Sequence, residues 1–549
     1  MTASDAPPTA HPRRRLVLAG SALLSLGALG CAGPASAPST GPSSDAGGAR
    51  RTPRSAVPRD APMPPLAADG ALLLDRITWG VSPSSLRRLA EQGEARFLAG
   101  QLRPARTTVL PDEVVVRIAA LTISQRPMNE LVQELERQRR AADALADDAA
   151  KTAARQAYQQ TMTRLAREAA SRSLLLALHS PDQLRERMTW FWTNHFSVFQ
   201  GKANLRAMVG DYEDRAIRPH ALGRFRDLLG AATRHPAMLR YLDNERNAAG
   251  RLNENHAREL LELHTLGVDG GYTQADVQEL ARVLTGVGVN FGDTPPRLRP
   301  ALQATYVRDG GFEFNPARHD FGDKRVLGRP IAGRGLAELD EVLDLLARHP
   351  STATHVCRRL ARFLVADAPD PALVARLASV FSRSDGDIAA VLESLVADPA
   401  FRASLGTKFK DPMHYVVSAV RLAYDDRPVV DATPMLGWIA RLGEPPFGRQ
   451  TPDGYPLDEA AWSGSGQMTA RFEIARAIGS GTPALFRAEG GAPVGASAER
   501  PPPPALANVV WDRSTRDRVA PATRRALEQA ASPQEWNAFL LSSPEFMRR

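Results

Sequence analysis

The densest run of side chains able to do chemistry is Asn253-Glu254-Asn255-His256-Ala257-Arg258-Glu259-Leu260-Leu261-Glu262-Leu263-His264. On a helix, residues three and four apart share a face. Asn255, Glu259 and Glu262 therefore line one stripe, with His256 at its edge and His264 turned well away. Two carboxylates and an amide on one stripe suit a divalent cation held by oxygen ligands, or an acid and base pair. The same residues also read as an acid-rich helical turn paired with Arg246, Arg251 and Arg258. The spacing is neither HExxH nor the ExxH of di-iron bundles.

Three further runs carry polar groups. In Trp190-Phe191-Trp192-Thr193-Asn194-His195-Phe196, the residues Leu184, Met188, Phe191 and His195 recur at helical spacing. His195 thus lies on an apolar face, as a hydrogen-bonded core imidazole or as an oriented metal ligand or base. In Arg318-His319-Asp320-Phe321-Gly322-Asp323-Lys324, adjacent His319 and Asp320 offer two ligands, a base with its orienting carboxylate, or a turn in which aspartates bond backbone amides. Thr451-Pro452-Asp453-Gly454-Tyr455-Pro456 is a turn by composition, either a structural corner or, with Phe447 and Trp462, an aromatic lid. The chain has no GxSxG, no GxxxxGK[ST], and no GxGxxG after a strand.

Those runs must be positioned by helices. From Ala71 onward apolar residues repeat with a period near 3.6, which predicts an all-α fold. Expected helices include Ala71–Trp79, then Pro83–Leu102 with Ser82 as N-cap, and a run starting behind a Thr273–Asp276 capping box. The stretch from 128 to 179 lacks Pro and Gly and predicts a helical hairpin at about 125–180. A last helix is expected over 533–549. Between 287 and 330 the period breaks and glycines mix with aromatics, predicting a long loop or small β-hairpin.

The 549 residues carry 69 Lys plus Arg against 61 Asp plus Glu, a net +8, with 43% hydrophobic and 24% charged residues. This is globular composition, not collagenous, disordered or polytopic. Basic residues are interspersed with acids, which argues against nucleic-acid binding. Two cysteines and no CxxC exclude zinc ribbons and disulfide frameworks.

Residues 1–31 have the pattern of an export signal: Arg13-Arg14-Arg15, then an apolar stretch from Leu16 to Leu29 too short to span a bilayer. The arginines give it a twin-arginine-like start. Ala28-Leu29-Gly30-Cys31 resembles a lipoprotein box, with Cys31 the lipidation site and sole membrane attachment. Ala35-Ser36-Ala37 offers ordinary cleavage instead. Residues 32–65 read as a Pro/Ser/Ala tether, 66–549 as a single helical domain, and 488–505 as a spacer within it. Cys357 reads as a buried structural thiol.

Taken together, the motifs resemble the bacterial domain-of-unknown-function family numbered 1800. The resemblance runs from about Ala71 to Arg549. It is carried by Leu73-Leu74-Asp75-Arg76-Ile77-Thr78-Trp79-Gly80, Phe191 to Phe196, Asn253 to Gly267, Tyr272-Thr273 through Leu284-Thr285-Gly286, His319-Asp320 through Lys324, and Pro452 to Pro456 with Trp462. It implies a large, mostly helical, exported bacterial protein. It also implies a partner from a second exported family, number 1501, which looks like the alkaline-phosphatase and sulfatase fold. The recurrent polar positions it points to are His195, Arg258, Glu259, Glu262, His319 and Asp320. Val287 stands where the family usually has Trp. Two functions follow as expectations. In the first, the chain is a metal-assisted hydrolase: His195, Glu259, Glu262, His319 and Asp320 converge on a divalent metal, His195, Glu259 and Glu262 also act in catalysis, and Arg258 binds an anionic group. In the second, it is a non-catalytic envelope binding or scaffold protein in which those residues pair with arginines and backbone.

Overall fold

Leucines, alanines and aromatics spaced three and four apart bury one stripe of helix after helix, and the computed structural model is built from such stripes. It describes residues 63–67, 69–105, 108–487 and 503–549. The expected export signal with Cys31, nearly all of the tether and most of the spacer lie outside the described residues. The described residues belong to one unit, Pro62–Arg549.

The chain starts with helices Gly70–Ile77, Pro83–Gln92 and Glu94–Leu102. Ser82 caps the second through a capping box with Ser85, and Pro83 occupies the first helical position, as its missing N–H permits. One helix was expected over 83–102; Gly93, at φ +73°, turns the chain instead and makes two. The hairpin is Met128–Ala144 followed by Asp148–His179, the latter about 48 Å long. Its outer half is mostly exposed, while from Met162 onward Leu165, Ala169, Leu174 and Leu178 root it in the core. Helices Asp112–Ala119, Thr433–Arg441 and Pro521–Glu528 were not expected, and the last helix stops at Ser542 rather than 549.

The irregular segment folds as two small antiparallel sheets. β1 (Val287–Val289), β2 (Val307–Asp309) and β3 (Phe312–Phe314) pair in the order β1-β3-β2, with Val287 and Val307 both opposite Phe314. β4 (Lys324–Val326) and β5 (Arg329–Ile331) form a hairpin turned by Leu327 and Gly328, both at positive φ. The fold is thus predominantly α with a small β segment. Val287, where the resemblance implied a Trp, is buried in β1.

Burial of the apolar stripes supplies the main driving force, about 1.5–3 kcal/mol for each fully buried Leu, Val or Phe. One cluster runs through Leu73, Ile77, Met188, Phe191, Trp192, Phe225, Val342, Leu360 and Val416. Polar side chains stitch distant segments together inside it. Arg76 is fully buried and donates to the carbonyls of Leu364 and Arg549, each at 2.6 Å, and to the Ser404 hydroxyl at 2.8 Å. Cys357 is a buried free thiol whose pKa burial pushes up. Among the described residues, no helix is long and apolar enough to cross a membrane.

Candidate functional site

The Asn253–His264 run does not stay α-helical. It begins as an α-helix over Asn255–Glu259 and widens into a π-helix over Leu260–Thr265, closed by Leu266 N–H donating to Leu261 O at 2.9 Å. Gly267, at φ +87°, ends it. A helix end leaves carbonyls without intrahelical partners. Here two imidazoles supply the donors: His355 Nε2 to Leu263 O and His195 Nε2 to His264 O, both at 3.1 Å. A carbonyl only accepts, so each ring carries its proton on Nε2. His195 Nδ1 is left bare, buried and without a partner among the described residues.

His256 and His264 are buried on the same helix, at 0% and 1% exposure. The rings of His264 and His355 lie 6.3 and 6.0 Å from that of His195. Burial depresses all four, reinforced at His195, His264 and His355 by the Arg359 guanidinium. His264 falls to about 3, His256 and His355 to about 4, and His195 well below its ordinary value. At neutral pH this is a nest of uncharged imidazoles.

The carboxylates of the stripe lie half-buried instead. Tyr272 donates its hydroxyl to Glu262 Oε2 at 3.3 Å, and Glu259 makes no ion pair among the described residues. Burial, then Glu262 and Asp453, push the Glu259 carboxyl up to about 7 against the pull of Arg258. Of the other stripe members, Asn255 donates to Leu242 O at 3.2 Å, and Arg258 bonds Glu254 and Gln274, each at 2.9 Å.

Asp453 reaches this neighbourhood through Thr451–Pro456, which is a corner rather than a lid. Tyr455 N donates to Asn194 Oδ1 at 2.6 Å, and Asn194 Nδ2 donates to Tyr455 O at 3.0 Å. Gly454, at φ +76°, passes so close that a Cβ would sit 2.1 Å from Asn194 O. Tyr241 donates to Gln450 O at 2.8 Å, Trp462 Nε1 to Pro456 O at 3.0 Å, and Arg449 pairs with Asp453 at 3.0 Å. Trp462 and Phe447 are both buried.

His319 and Asp320 belong to a separate cluster. Both His319 nitrogens donate, Nδ1 to Thr285 O at 2.7 Å and Nε2 to Glu338 Oε1 at 3.0 Å. Lys324 Nζ bonds Glu338 Oε2 at 2.5 Å, and all three side chains are fully buried. Burial works to raise the Glu338 carboxyl, but the bonds from His319 and Lys324 hold it below its ordinary value. Asp320 pairs with Arg282 at 2.8 Å.

The five expected ligands therefore do not form one group. Among the described residues, no set of three or more His, Cys, Asp or Glu side chains is arranged to hold a metal ion. What the structure does place within electrostatic reach of Glu259 is Glu262, half-buried on the same helix, and the exposed Asp453.

A family model described as "Protein of unknown function (DUF1800)" matches residues 72–548. The chain belongs to the DUF1800 family. No curated protein and no solved structure matches it. The polar positions expected from the resemblance divide in two: His195, Arg258, His319 and Asp320 are bonded to carbonyls or oppositely charged groups, while Glu259 and Glu262 have no ion pair among the described residues.

Other buried polar residues of this DUF1800 chain escaped the sequence reading. Arg187 is fully buried between the rings of Trp79 and Phe363, 4.6 Å from each, and none of its nitrogens has a hydrogen-bond partner among the described residues. It lies three residues after Leu184 and four before Phe191, so an arginine on an apolar stripe was the available signal. Glu444 is buried with Oε1 unpartnered, its carboxyl raised by burial and by Asp411. It lines a cavity of about 40 Å³ beside Asn194 and Tyr455, room for two or three waters. Nothing in its sequence context marks Glu444.

Proposed function

We propose that this chain is an exported, non-catalytic binding protein of the cell envelope, tethered through Cys31 and partnered by an exported family 1501 hydrolase of alkaline-phosphatase/sulfatase-like type. One observation carries the choice over a metal-assisted hydrolase. His195, Arg258, His319 and Asp320 are each committed to a bond that holds the fold, on three separate segments. A metal-assisted site requires such groups to converge on one reacting atom. Export and anchoring rest on the pattern of residues 1–37, and the partner on the family resemblance.

The test pairs two assays on the full-length protein. Binding to purified family 1501 partner, followed by surface plasmon resonance, should be saturable and near 1:1. Turnover of chromogenic esters, phosphate and sulfate esters and glycosides, with and without divalent metals, should stay at the blank rate. Turnover abolished by Glu259→Gln would overturn the reading.

That outcome would favour a second reading, metal-free acid–base catalysis by Glu259 and Glu262. Its support is the Glu259 carboxyl held near neutral pH beside a second carboxylate. It requires a pH–rate profile with one limb near 7 that Glu259→Gln removes.

A further inference from the structure

Between the Gly70–Ile77 helix and the C-terminal segments lies a cleft of about 410 Å³, walled by Leu72, Val81, Pro544 and Phe546. Pro544 is exposed and the other three are half-buried, so apolar surface here stays open to solvent instead of closing on the core. Buried Leu422 and Leu540 line the cleft more deeply. Its size falls in the range of small-molecule sites.

Asp75, Lys410, Glu545, Arg548 and Arg518 supply the charges, and all but the last are committed. Lys410 Nζ lies 3.1 Å from Asp75 Oδ2 and 4.0 Å from the centre of the Phe546 ring. Glu545 accepts from Ala520 N–H at 2.8 Å and from the Thr523 hydroxyl at 3.0 Å. Arg548 pairs with Glu459 at 2.7 Å. The Arg518 guanidinium makes no hydrogen bond or ion pair among the described residues, and its five N–H groups are unspent. Partial burial pulls its pKa down, and the charge of Asp75 opposes, which puts the guanidinium within reach of the Asp75 side of the cleft.

A widened turn carries Arg518 there. Trp511–Thr515 is π-helical, closed by Arg516 N–H donating to Trp511 O at 2.9 Å, and this short segment gives the cleft Val510, Ser514, Thr515 and Arg518 together. Single π-turns are rare and recur at functional sites. An open apolar trough with one uncommitted guanidinium matches a ligand that has one anionic head and an apolar tail. The planar fork of an arginine takes both oxygens of a carboxylate, and each methylene moved from water onto the walls adds affinity.

We propose that this cleft binds an aliphatic carboxylate, a free fatty acid whose head pairs with Arg518 and whose chain lies against Leu72, Val81, Pro544 and Phe546. Asp75 and Glu545 already have their partners, so the incoming head meets no uncompensated carboxylate. The site goes beyond the partner reading and does not depend on it, because none of its residues belongs to the motif helix or to the export pattern.

The experiment titrates the full-length protein with sodium decanoate below its micelle threshold by calorimetry, beside decanol and vesicles of phosphatidylglycerol. One saturable site is expected for decanoate, with decanol at least tenfold weaker. Arg518→Ala should weaken decanoate binding at least tenfold while its unliganded melting temperature stays that of the wild type, since the side chain has no bond to lose. Arg513→Ala, at an exposed arginine of the same turn that does not line the cleft, should bind as the wild type does. Decanoate should also raise the melting temperature of the wild type and not that of Arg518→Ala. Absence of saturable binding by the wild type, decanol binding as tightly as decanoate, or equal weakening by Arg513→Ala overturns the proposal. Binding to the vesicles without binding to decanoate overturns it too, and assigns the cleft to a membrane surface.

Discussion

Asn194 holds Tyr455 by both backbone polar groups, accepting from its N–H at 2.6 Å and donating to its carbonyl at 3.0 Å, across 261 residues of sequence. This single side chain sets where the Asp453 corner sits and hence which carboxylates approach Glu259.

Removing that grip leaves two backbone groups unpaired. Asn194→Ala should cost about 1–3 kcal/mol in urea unfolding and expose the Arg449–Asp453 loop to limited trypsin digestion. Gly454→Ala should be at least as damaging, because it combines a positive φ with a clash against Asn194 O. Wild-type stability for either variant would contradict the clamp.

The fully buried trio His319, Lys324 and Glu338 predicts a sharp contrast. Breaking a buried ion pair strands its partner, so Glu338→Gln should lose about 3–5 kcal/mol. Asp320→Asn, at a quarter-exposed pair, should lose about 1 kcal/mol or less. Equal losses would mean that Lys324 finds another partner.

Acid should loosen the fold between about pH 6.5 and 4. His179, His256, His264 and His355 fall to about 3–4 in the folded chain, each mainly through burial. Between those values and the ordinary value of 6.5 the unfolded chain binds more protons. His195 and His414, buried and held well below their ordinary value, join them, so stability declines as pH falls from about 6.5 toward 4, with roughly five to six protons taken up by histidines per unfolding event near pH 5. Glu213 and Glu259, each raised to about 7, and Glu444, raised well above its ordinary value, oppose this by roughly two protons. Urea midpoints that do not change between pH 7 and 5 would refute the burial of neutral imidazoles.

Removing one like charge should release the other. In Glu262→Gln the Glu259 carboxyl should fall from about 7 toward its ordinary range, read by carbon-13 carboxyl NMR titration. An unchanged titration would leave burial as the whole cause.

Helix positions were readable because local periodicity writes them: the Ser82 and Thr273 caps fall where the sequence places them. Family membership was equally readable from the motifs. The π-turn at Leu260–Thr265 was not, since a widened turn uses the same residues as a 3.6-residue one. His264 was expected to turn away from the carboxylates, and it is buried beside His195. The chemistry of His195 and His319 was illegible for another reason. Their partners, His264 O and Glu338, are set by tertiary packing, and no local pattern announces a carbonyl that lacks a donor.

Arg76 satisfies its guanidinium on Arg549 O, 473 residues away. At about 5–20 residues per second, the ribosome makes the donor roughly 25 to 95 seconds before its acceptor. Leu364 O and Ser404 reach it earlier, but through that interval one of its acceptors is still missing. Helical proteins are usually quick folders because their contacts are local. In this one, the closing contact waits for translation to reach residue 549.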